Sequence, residues 1–290
     1  MELVQNRLLN VFTIDLPLRQ PFRWRVLLTL VLLYFLGNLA GLPLLRATQA
    51  PIEPFWLWGV ATLVSALILG LSLVLANRTA LGAPFLAGQL PPDARLPWLR
   101  TGLALTVLLI VAGLPFSLWL NLNVDPAHYP AAAPLILASV KAGVVEELGY
   151  RFFMVSLLVW LGSRFSRGQD GRPTRRVYWA AILLAGLIFG WAHVDARLGV
   201  PQATLGALAS LMILSTLLGV AFGWFLWRLG LEWAVFAHFA YDAVVSAVLL
   251  KVYLLANVLV WIGFVAIVLL VTWAAWRAIR PTGHLTGFRS

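Results

Sequence analysis

The sequence predicts an all-α membrane protein of about eight transmembrane helices, with both termini in the cytoplasm. Of its 290 residues, 61% are hydrophobic and only 11% are charged, and the mean hydropathy is strongly positive. Soluble domains contain about a quarter charged residues. A soluble core of this size could not bury so much apolar surface, so we expect lipid to cover the rest.

Eight apolar runs approach or exceed the roughly 20 residues that cross the hydrocarbon core of a bilayer. The predicted spans are Trp24–Leu45, Phe55–Leu75, Leu99–Leu120, Ala132–Phe165, Val177–Val194, Ala203–Leu226, Trp233–Leu250 and Val252–Ala275. The fourth run is too long for one straight crossing. We expect it to tilt, to break near Gly143, or to begin with a segment on the membrane surface.

The basic residues predict the orientation of these spans, because cytoplasmic loops of membrane proteins are enriched in Lys and Arg. One side would hold sixteen arginines and the other only Arg46, Arg197 and Lys251. The sixteen are Arg7, Arg19, Arg23, Arg25, Arg78, Arg95, Arg100, Arg164, Arg167, Arg172, Arg175, Arg176, Arg228, Arg277, Arg280 and Arg289. The richer side is therefore predicted to be cytoplasmic, and an even number of spans places both termini there.

Two features of the composition exclude classes of function. The chain has no cysteine, which removes disulfides, thiolate metal ligands and cysteine nucleophiles. Its formal net charge of +10 invites a nucleic-acid partner, but the charges lie in short loops between apolar spans. Membrane topology explains that placement, so we predict no nucleic-acid binding.

The first polar motif lies in the fourth predicted span and contains Glu146, Glu147 and Arg151. Ionisable side chains inside a membrane are costly and persist where they are paired or functional. Residues four apart share a helix face, so Glu147 and Arg151 are expected to pair, either as a structural ion network or as part of a site. Glu146 is rotated by about 100° from that face. It is left without a local counterion, which favours a general base.

Two further motifs carry histidines. Phe189 and His193 lie near the end of the fifth predicted span, where a lone histidine is often a packing residue. His238 and Asp242 share one face of the seventh. Such a pair can orient an imidazole, donate to an oxyanion, bind a metal or clamp two helices.

Together, the three motifs predict one polar site built from three helices. At about 1.5 Å per residue, Glu146 falls near the middle of the membrane, His193 nearer the outer face and His238 nearer the inner face. Lys141, five residues before Glu146, is assigned no role. The first three spans carry no comparable charges deep inside, and we expect them to be a scaffold or a gate.

The order and spacing of the motifs resemble the type II CAAX prenyl endopeptidases and their bacterial relatives, also called the CAAX protease and bacteriocin-processing family. That family's pattern is Glu-Glu-x-x-x-Arg, then Phe-x-x-x-His, then His-x-x-x-Asn or Asp. The matching residues are Glu146, Glu147, Arg151, Phe189, His193, His238 and Asp242. The resemblance covers the chain from about Lys141 to Asp242, and it implies an intramembrane endopeptidase with eight helices.

The resemblance also implies roles for the residues. Glu146 and His193 would hold and activate a hydrolytic water, and His238 with Asp242 would stabilise the oxyanion. Glu147 and Arg151 would shape the site. An ionised aspartate cannot donate to an oxyanion as asparagine does. Asp242 would therefore be protonated, orient His238 or bind a metal.

A metal-free mechanism is favoured, because the closely spaced helical histidines of the common zinc proteases are missing. No cofactor is expected. If zinc is bound, its ligands would be Glu146, His193, His238 and Asp242. The expected partners are the lipid bilayer and a membrane-associated peptide or protein substrate, in a bacterial inner membrane.

These interpretations divide the chain into four parts. They are a cytoplasmic segment over 1–23, a three-helix scaffold over 24–130, a core with the three motifs over 131–250, and a last helix with a cytoplasmic tail over 251–290. Two other functions are considered: a non-catalytic scaffold or bacteriocin-immunity-type protein, which Asp242 favours, and a proton-coupled transporter using Glu146 and Arg151. The transporter lacks the support of an obvious inverted repeat.

Overall fold

The computed structural model describes residues 22–48, 53–121, 132–169, 171–195 and 204–252. Within these ranges the chain is helical, with no β-strand and one isolated antiparallel bridge between Arg167 and Pro173. In chain order the helices are α1 (Trp24–Ala47), α2 (Phe55–Thr79), α3 (Pro92–Asn121), α4 (Ala132–Lys141), α5 (Ala142–Val155), α6 (Ser156–Gly162), α7 (Arg175–Asp195), α8 (Leu205–Leu229) and α9 (Leu231–Val252).

Five helices in the described ranges are long and apolar enough to cross a membrane. They are Trp24–Ala47, Trp56–Thr79, Pro92–Ser117, Arg175–Asp195 and Leu205–Leu229. They correspond to the first, second, third, fifth and sixth predicted spans, so an all-helical fold suited to a membrane is confirmed. The eighth predicted span, Val252–Ala275, lies outside the described residues apart from Val252. Eight spans and two cytoplasmic termini therefore stay predictions.

The fourth predicted span is one unbroken helical rod made of α4, α5 and α6. Its winding changes at Ala142, next to Gly143, where hydrogen bonds of the wider π-helical type begin, and it returns to α-helical at Ser156. The irregularity expected near Gly143 is therefore a change of winding and not a break. π-helical turns are rare and are frequent at functional sites, and this one carries the first polar motif.

The α5 and α9 backbones approach each other closely at Gly143. A Cβ atom added there would lie 2.8 Å from the backbone nitrogen of Phe239, so a larger residue would push the two helices apart. Gly143 precedes Glu146 by three residues, and Phe239 directly follows His238. This contact therefore brings the first and third motifs side by side.

Glycines also set the distance between α7 and α8. A Cβ atom at Gly190 would lie 2.2 Å from Thr216 Oγ1, and one at Gly186 would lie 2.8 Å from Val220 Cγ2. Small residues at such positions let helices pack in close backbone contact. Since α7 carries Phe189 and His193, its approach to α8 fixes the second motif relative to the other two.

Helix α3 packs against α9 at two points on either side of His238. The indole of Trp233 lies directly over Gly102, and the Tyr241 hydroxyl shares a 2.6 Å hydrogen bond with Ser117. Helix α3 thus contacts α9 through an aromatic ring and a hydroxyl group, and neither contact involves a charged side chain.

Candidate active site

The three motifs meet at one place, where α5, α7 and α9 face each other. Two layers can be distinguished by burial. The buried layer consists of Glu147, Arg151 and His238, and the open layer consists of Glu146, His193 and Asp242. The difference in depth expected from the sequence between Glu146 and His238 does not keep them apart, because 4.0 Å separates Glu146 Oε2 from His238 Nε2.

The buried layer is a chain of charges centred on Glu147. Its Oε1 atom lies 3.1 Å from an Arg151 guanidinium nitrogen and 2.7 Å from His238 Nδ1. The side chains of all three residues are at most 5% exposed. A buried carboxylate is tolerated when a cation and hydrogen-bond donors surround it. Glu147 has a cation and one donor at Oε1, while its Oε2 has no hydrogen-bond partner among the described residues. The predicted pairing of Glu147 with Arg151 is therefore present, and it extends to His238.

Two phenylalanines close around this chain of charges. The Arg151 guanidinium lies 3.9 Å from the Phe189 ring centre and 5.3 Å from that of Phe222. The His238 ring stacks on Phe222 with 4.5 Å between ring centres. Cation–π contacts of this kind are strongest where water is excluded. The aromatic rings therefore hold both Arg151 and His238 in fixed orientations around Glu147.

Glu146 and Asp242 face the remaining nitrogen of His238. Asp242 Oδ2 lies 3.4 Å from His238 Nε2, and Glu146 Oε2 lies 4.0 Å from it. Both carboxylate side chains are 33% exposed, in contrast to the fully buried Glu147. Glu146 Oε2 itself is buried and has no hydrogen-bond partner among the described residues. Because the Glu146 side chain is one-third exposed, a water or a substrate donor can approach its carboxylate from the open side.

His193 joins the open layer from α7. Its Nδ1 lies 2.9 Å from the backbone carbonyl oxygen of Phe189, which can only accept a hydrogen bond. The proton of a neutral imidazole is therefore on Nδ1, and Nε2 is left with its lone pair. His193 is half-buried, its ring is tilted by 60° against that of Phe189 with 4.4 Å between ring centres, and it interacts electrostatically with Glu146.

The same reasoning assigns the protons of His238. An ionised Glu147 paired with Arg151 can only accept, so His238 Nδ1 donates to it. Nε2 then faces two carboxylates, and a proton on Nε2 would be stabilised by both. His238 is accordingly placed to act as an imidazolium that donates from Nε2.

The carboxylate oxygens and imidazole nitrogens of the site are of the kinds that bind metal ions. Among the described residues, no group of three or more His, Asp and Glu side chains is arranged to hold an ion. The hydrogen bonds do not account for this, because Glu147 and Phe189 use only the Nδ1 atoms of His238 and His193, and a metal-binding histidine commonly donates one ring N–H in this way. The side chains that the sequence offered to zinc, Glu146, His193, His238 and Asp242, do not form a ligand set in this arrangement.

Sequence reasoning missed two features of the site. One is the hydrogen bond between Glu147 and His238, which joins residues 91 positions apart. The other is Phe222, a core residue of α8 that belongs to none of the three motifs. Its only sequence signal is its place in an apolar run. Lys141, to which no role was assigned, packs its side chain over Gly41 of α1.

The comparison with protein families agrees with this geometry. Residues 128–244 match the family described as Type II CAAX prenyl endopeptidase Rce1-like, which confirms the resemblance seen in the three motifs. No match was found among curated proteins, and none was found among solved structures. The matched family is of the protease type, and the five long apolar helices indicate an integral membrane protein.

Proposed function

We propose that this chain is an intramembrane endopeptidase that hydrolyses a peptide bond of a membrane-associated protein or peptide, with Glu146 activating the water. The observation that supports this most is the position of Glu146. Its inner oxygen lacks a hydrogen-bond partner among the described residues and lies 4.0 Å from His238 Nε2, while the side chain is partly open. Such a carboxylate can bind a water and accept its proton.

His193 is the second residue that holds the water in this proposal. Its Nδ1–H is fixed by the Phe189 carbonyl, so Nε2 can accept a hydrogen bond from the same water that Glu146 deprotonates. A general base works when it is within hydrogen-bond reach of the proton that it removes. The water would therefore lie between α5 and α7.

His238 and Asp242 act on the other side of the reacting carbonyl. With Nδ1–H donated to Glu147, the Nε2–H of an imidazolium can donate to the oxyanion of the tetrahedral intermediate. Asp242, 3.4 Å from Nε2, keeps the proton there and orients the ring. In this proposal, the Asp242 carboxylate does not contact the oxyanion.

The reaction balances with these residues alone. Glu146 takes one proton as the water oxygen bonds to the carbonyl carbon, and the resulting oxyanion accepts a hydrogen bond from His238. The carbon–nitrogen bond then breaks, and the proton held by Glu146 passes to the leaving nitrogen. The immediate products are a carboxylic acid and an amine, which become a carboxylate and an ammonium group when the acid's proton passes to the amine, and the site returns to its starting protonation.

The first experiment measures cleavage by the purified full chain in detergent or nanodiscs, using membrane peptides that end in a Cys-a-a-X sequence, with and without a prenyl group. We expect Glu146→Gln to reduce kcat by about 100-fold or more, the usual contribution of a general base. Glu53→Gln makes the same change at an exposed position outside the site and should cleave at the parental rate. Parental activity in Glu146→Gln would rule out the base assignment.

A second candidate function is a non-catalytic membrane scaffold or immunity-type protein, favoured by the ionisable Asp242 beside His238. In that case the open layer would serve binding rather than hydrolysis. A cellular phenotype that survives both Glu146→Gln and His193→Ala, at normal protein levels, would support it over the peptidase.

A further inference from the structure

Tyr150 lies on the same side of α5 as Glu146, at one of the unspecified positions of the first motif. Glu147 and Arg151 are four residues apart and form an ion pair of 3.1 Å, so residues at this spacing stand beside each other on α5. Glu146 and Tyr150 have the same spacing one position earlier, and their side chains interact electrostatically. Tyr150 is therefore the neighbour of the proposed general base along the helix.

The Tyr150 ring also contacts the part of the site that α7 contributes. It meets the Phe189 ring edge to face, with 5.1 Å between ring centres and 76° between ring planes. The Phe189 ring in turn lies 4.4 Å from that of His193, centre to centre. Tyr150 thus lies where α5 and α7 face each other, the place in which Glu146 and His193 are proposed to hold the water.

The Tyr150 hydroxyl differs from those of the two buried tyrosines within the described residues. The Tyr178 hydroxyl donates to the backbone carbonyl of Thr79, and the Tyr241 hydroxyl shares a hydrogen bond with Ser117. Tyrosine hydroxyls that are removed from bulk water usually have such a partner. Tyr150 is half-buried, and its hydroxyl makes no hydrogen bond within the described residues. The site therefore holds one donor that the fold itself does not use.

We propose that the Tyr150 hydroxyl donates a hydrogen bond to a main-chain carbonyl of the bound peptide, an inference that rests on the proposed endopeptidase function. A phenol carries no charge at neutral pH, so it donates without bringing another charge into the membrane. A peptide that enters such a site gives up water at its carbonyl groups, and each of them then needs a new donor. Because every peptide has these carbonyls, the bond strengthens binding without selecting a side chain.

Tyr150→Phe isolates the hydroxyl, because it keeps the ring that contacts Phe189. Since the hydroxyl has no partner among the described residues, the unfolding temperature of the full chain in detergent should stay the same. Tyr178→Phe is the matched control, because it makes the same change near the opposite end of α7 from His193. It removes a buried hydrogen bond, so it should lower the unfolding temperature without changing peptide binding.

The experiment measures the Kd of a fluorescent membrane peptide that ends in a Cys-a-a-X sequence, with and without a prenyl group. Anisotropy is recorded in nanodiscs, with empty nanodiscs as the blank. Every variant also carries Glu146→Gln, so that binding is measured apart from hydrolysis. We expect E146Q/Y150F to bind about three- to tenfold more weakly than E146Q, the usual effect of one neutral hydrogen bond. E146Q/Y178F should bind as E146Q does.

Peptides with one ester in place of a peptide bond test the partner atom of the hydroxyl. An ester carbonyl is a weaker hydrogen-bond acceptor than an amide carbonyl. As the ester is moved along the peptide, one position should weaken binding to E146Q much more than binding to E146Q/Y150F, because the two changes remove the same bond. If no position distinguished the two variants, the hydroxyl would not act on a main-chain carbonyl.

The remaining outcomes separate this proposal from the endopeptidase itself. Equal Kd values for E146Q and E146Q/Y150F would overturn the role of Tyr150 and leave the peptidase standing. Weaker binding by E146Q/Y150F, in a chain whose parent cleaves none of the bound peptides, would overturn the peptidase and keep Tyr150 as a binding residue. A lower unfolding temperature in Tyr150→Phe with an unchanged Kd would make its role structural. No binding of either peptide by E146Q would overturn both proposals.

Discussion

Glu146 and Glu147 are neighbours in the sequence, yet they belong to two layers of the site with different physical surroundings. Glu147 is fully buried, and its carboxylate contacts both Arg151 and His238. Each carboxylate has one buried oxygen without a hydrogen-bond partner among the described residues, but Glu146 is one-third exposed and has no cation as close as Arg151 is to Glu147. Within one helical turn, the Glu147 carboxylate has a structural role, and the Glu146 carboxylate can take part in chemistry.

A membrane helix can carry two adjacent acids here because their surroundings differ. In the buried layer, Arg151 and His238 compensate the Glu147 carboxylate, and two aromatic rings pack against the Arg151 guanidinium. The open layer instead leaves Glu146 and Asp242 accessible beside one imidazole nitrogen. Changes in the buried layer should therefore affect stability first, and changes in the open layer should affect activity first.

The largest effect on stability is expected from Arg151→Met, which breaks the buried layer. This change leaves Glu147 buried without its cation, and removing one partner of a buried ion pair costs about 3–5 kcal/mol. We expect a clear fall in the unfolding temperature of the purified chain in detergent, measured by intrinsic fluorescence. The double variant E147Q/R151M removes both charges and should recover part of the loss. An unchanged unfolding temperature in Arg151→Met would contradict the assignment of this layer.

A smaller effect is expected from Gly190→Ala, which acts on the packing beneath His193. The added Cβ would lie 2.2 Å from Thr216 Oγ1 and 2.8 Å from the Met212 carbonyl oxygen, so α7 must move away from α8. Overpacking of this kind costs about 1–3 kcal/mol. Cleavage should also slow, because His193 moves relative to Glu146.

Gly149→Ala is the matched control for this variant. Gly149 is exposed on α5, and a Cβ there would meet nothing within 4 Å. Since alanine favours helices over glycine by up to about 1 kcal/mol, this variant should be as stable as the parent or more stable. Equal losses in both variants would mean that the α7–α8 contact does not position the site.

The parts of this site that depend on local helix geometry could be predicted from the sequence. A spacing of four residues predicts the pairing of Glu147 with Arg151, and the same reasoning leaves Glu146 unpaired. The apolar runs predict the helices, because each needs about 20 residues to cross a bilayer. These inferences need only the period of a helix and the cost of charge in lipid.

The remaining features depend on how helices pack, which local spacing does not encode. The bond between Glu147 and His238 requires α5 and α9 to touch at Gly143. The stacking of Phe222 on His238 requires α8 to lie against both. The π-helical winding of α5 also has no signature in the local sequence, and the depths counted from span ends did not anticipate how close His238 comes to Glu146.

The smallest effect is expected from Asp242→Asn, which tests the open layer without changing its shape. Asparagine keeps the size of the side chain and a polar contact with His238 Nε2, so the unfolding temperature should hardly change. We expect kcat/KM for the peptide to stay within about tenfold of the parent, equivalent to about 1.4 kcal/mol. Asp242→Ala should lose more, because His238 then has no neighbour to orient Nε2 on that side except Glu146. If Asp242→Asn reduced kcat/KM as much as Glu146→Gln does, Asp242 would have a direct role in proton transfer. Glu146 would then not be the only base, and Asp242 could not be described as a supporting residue.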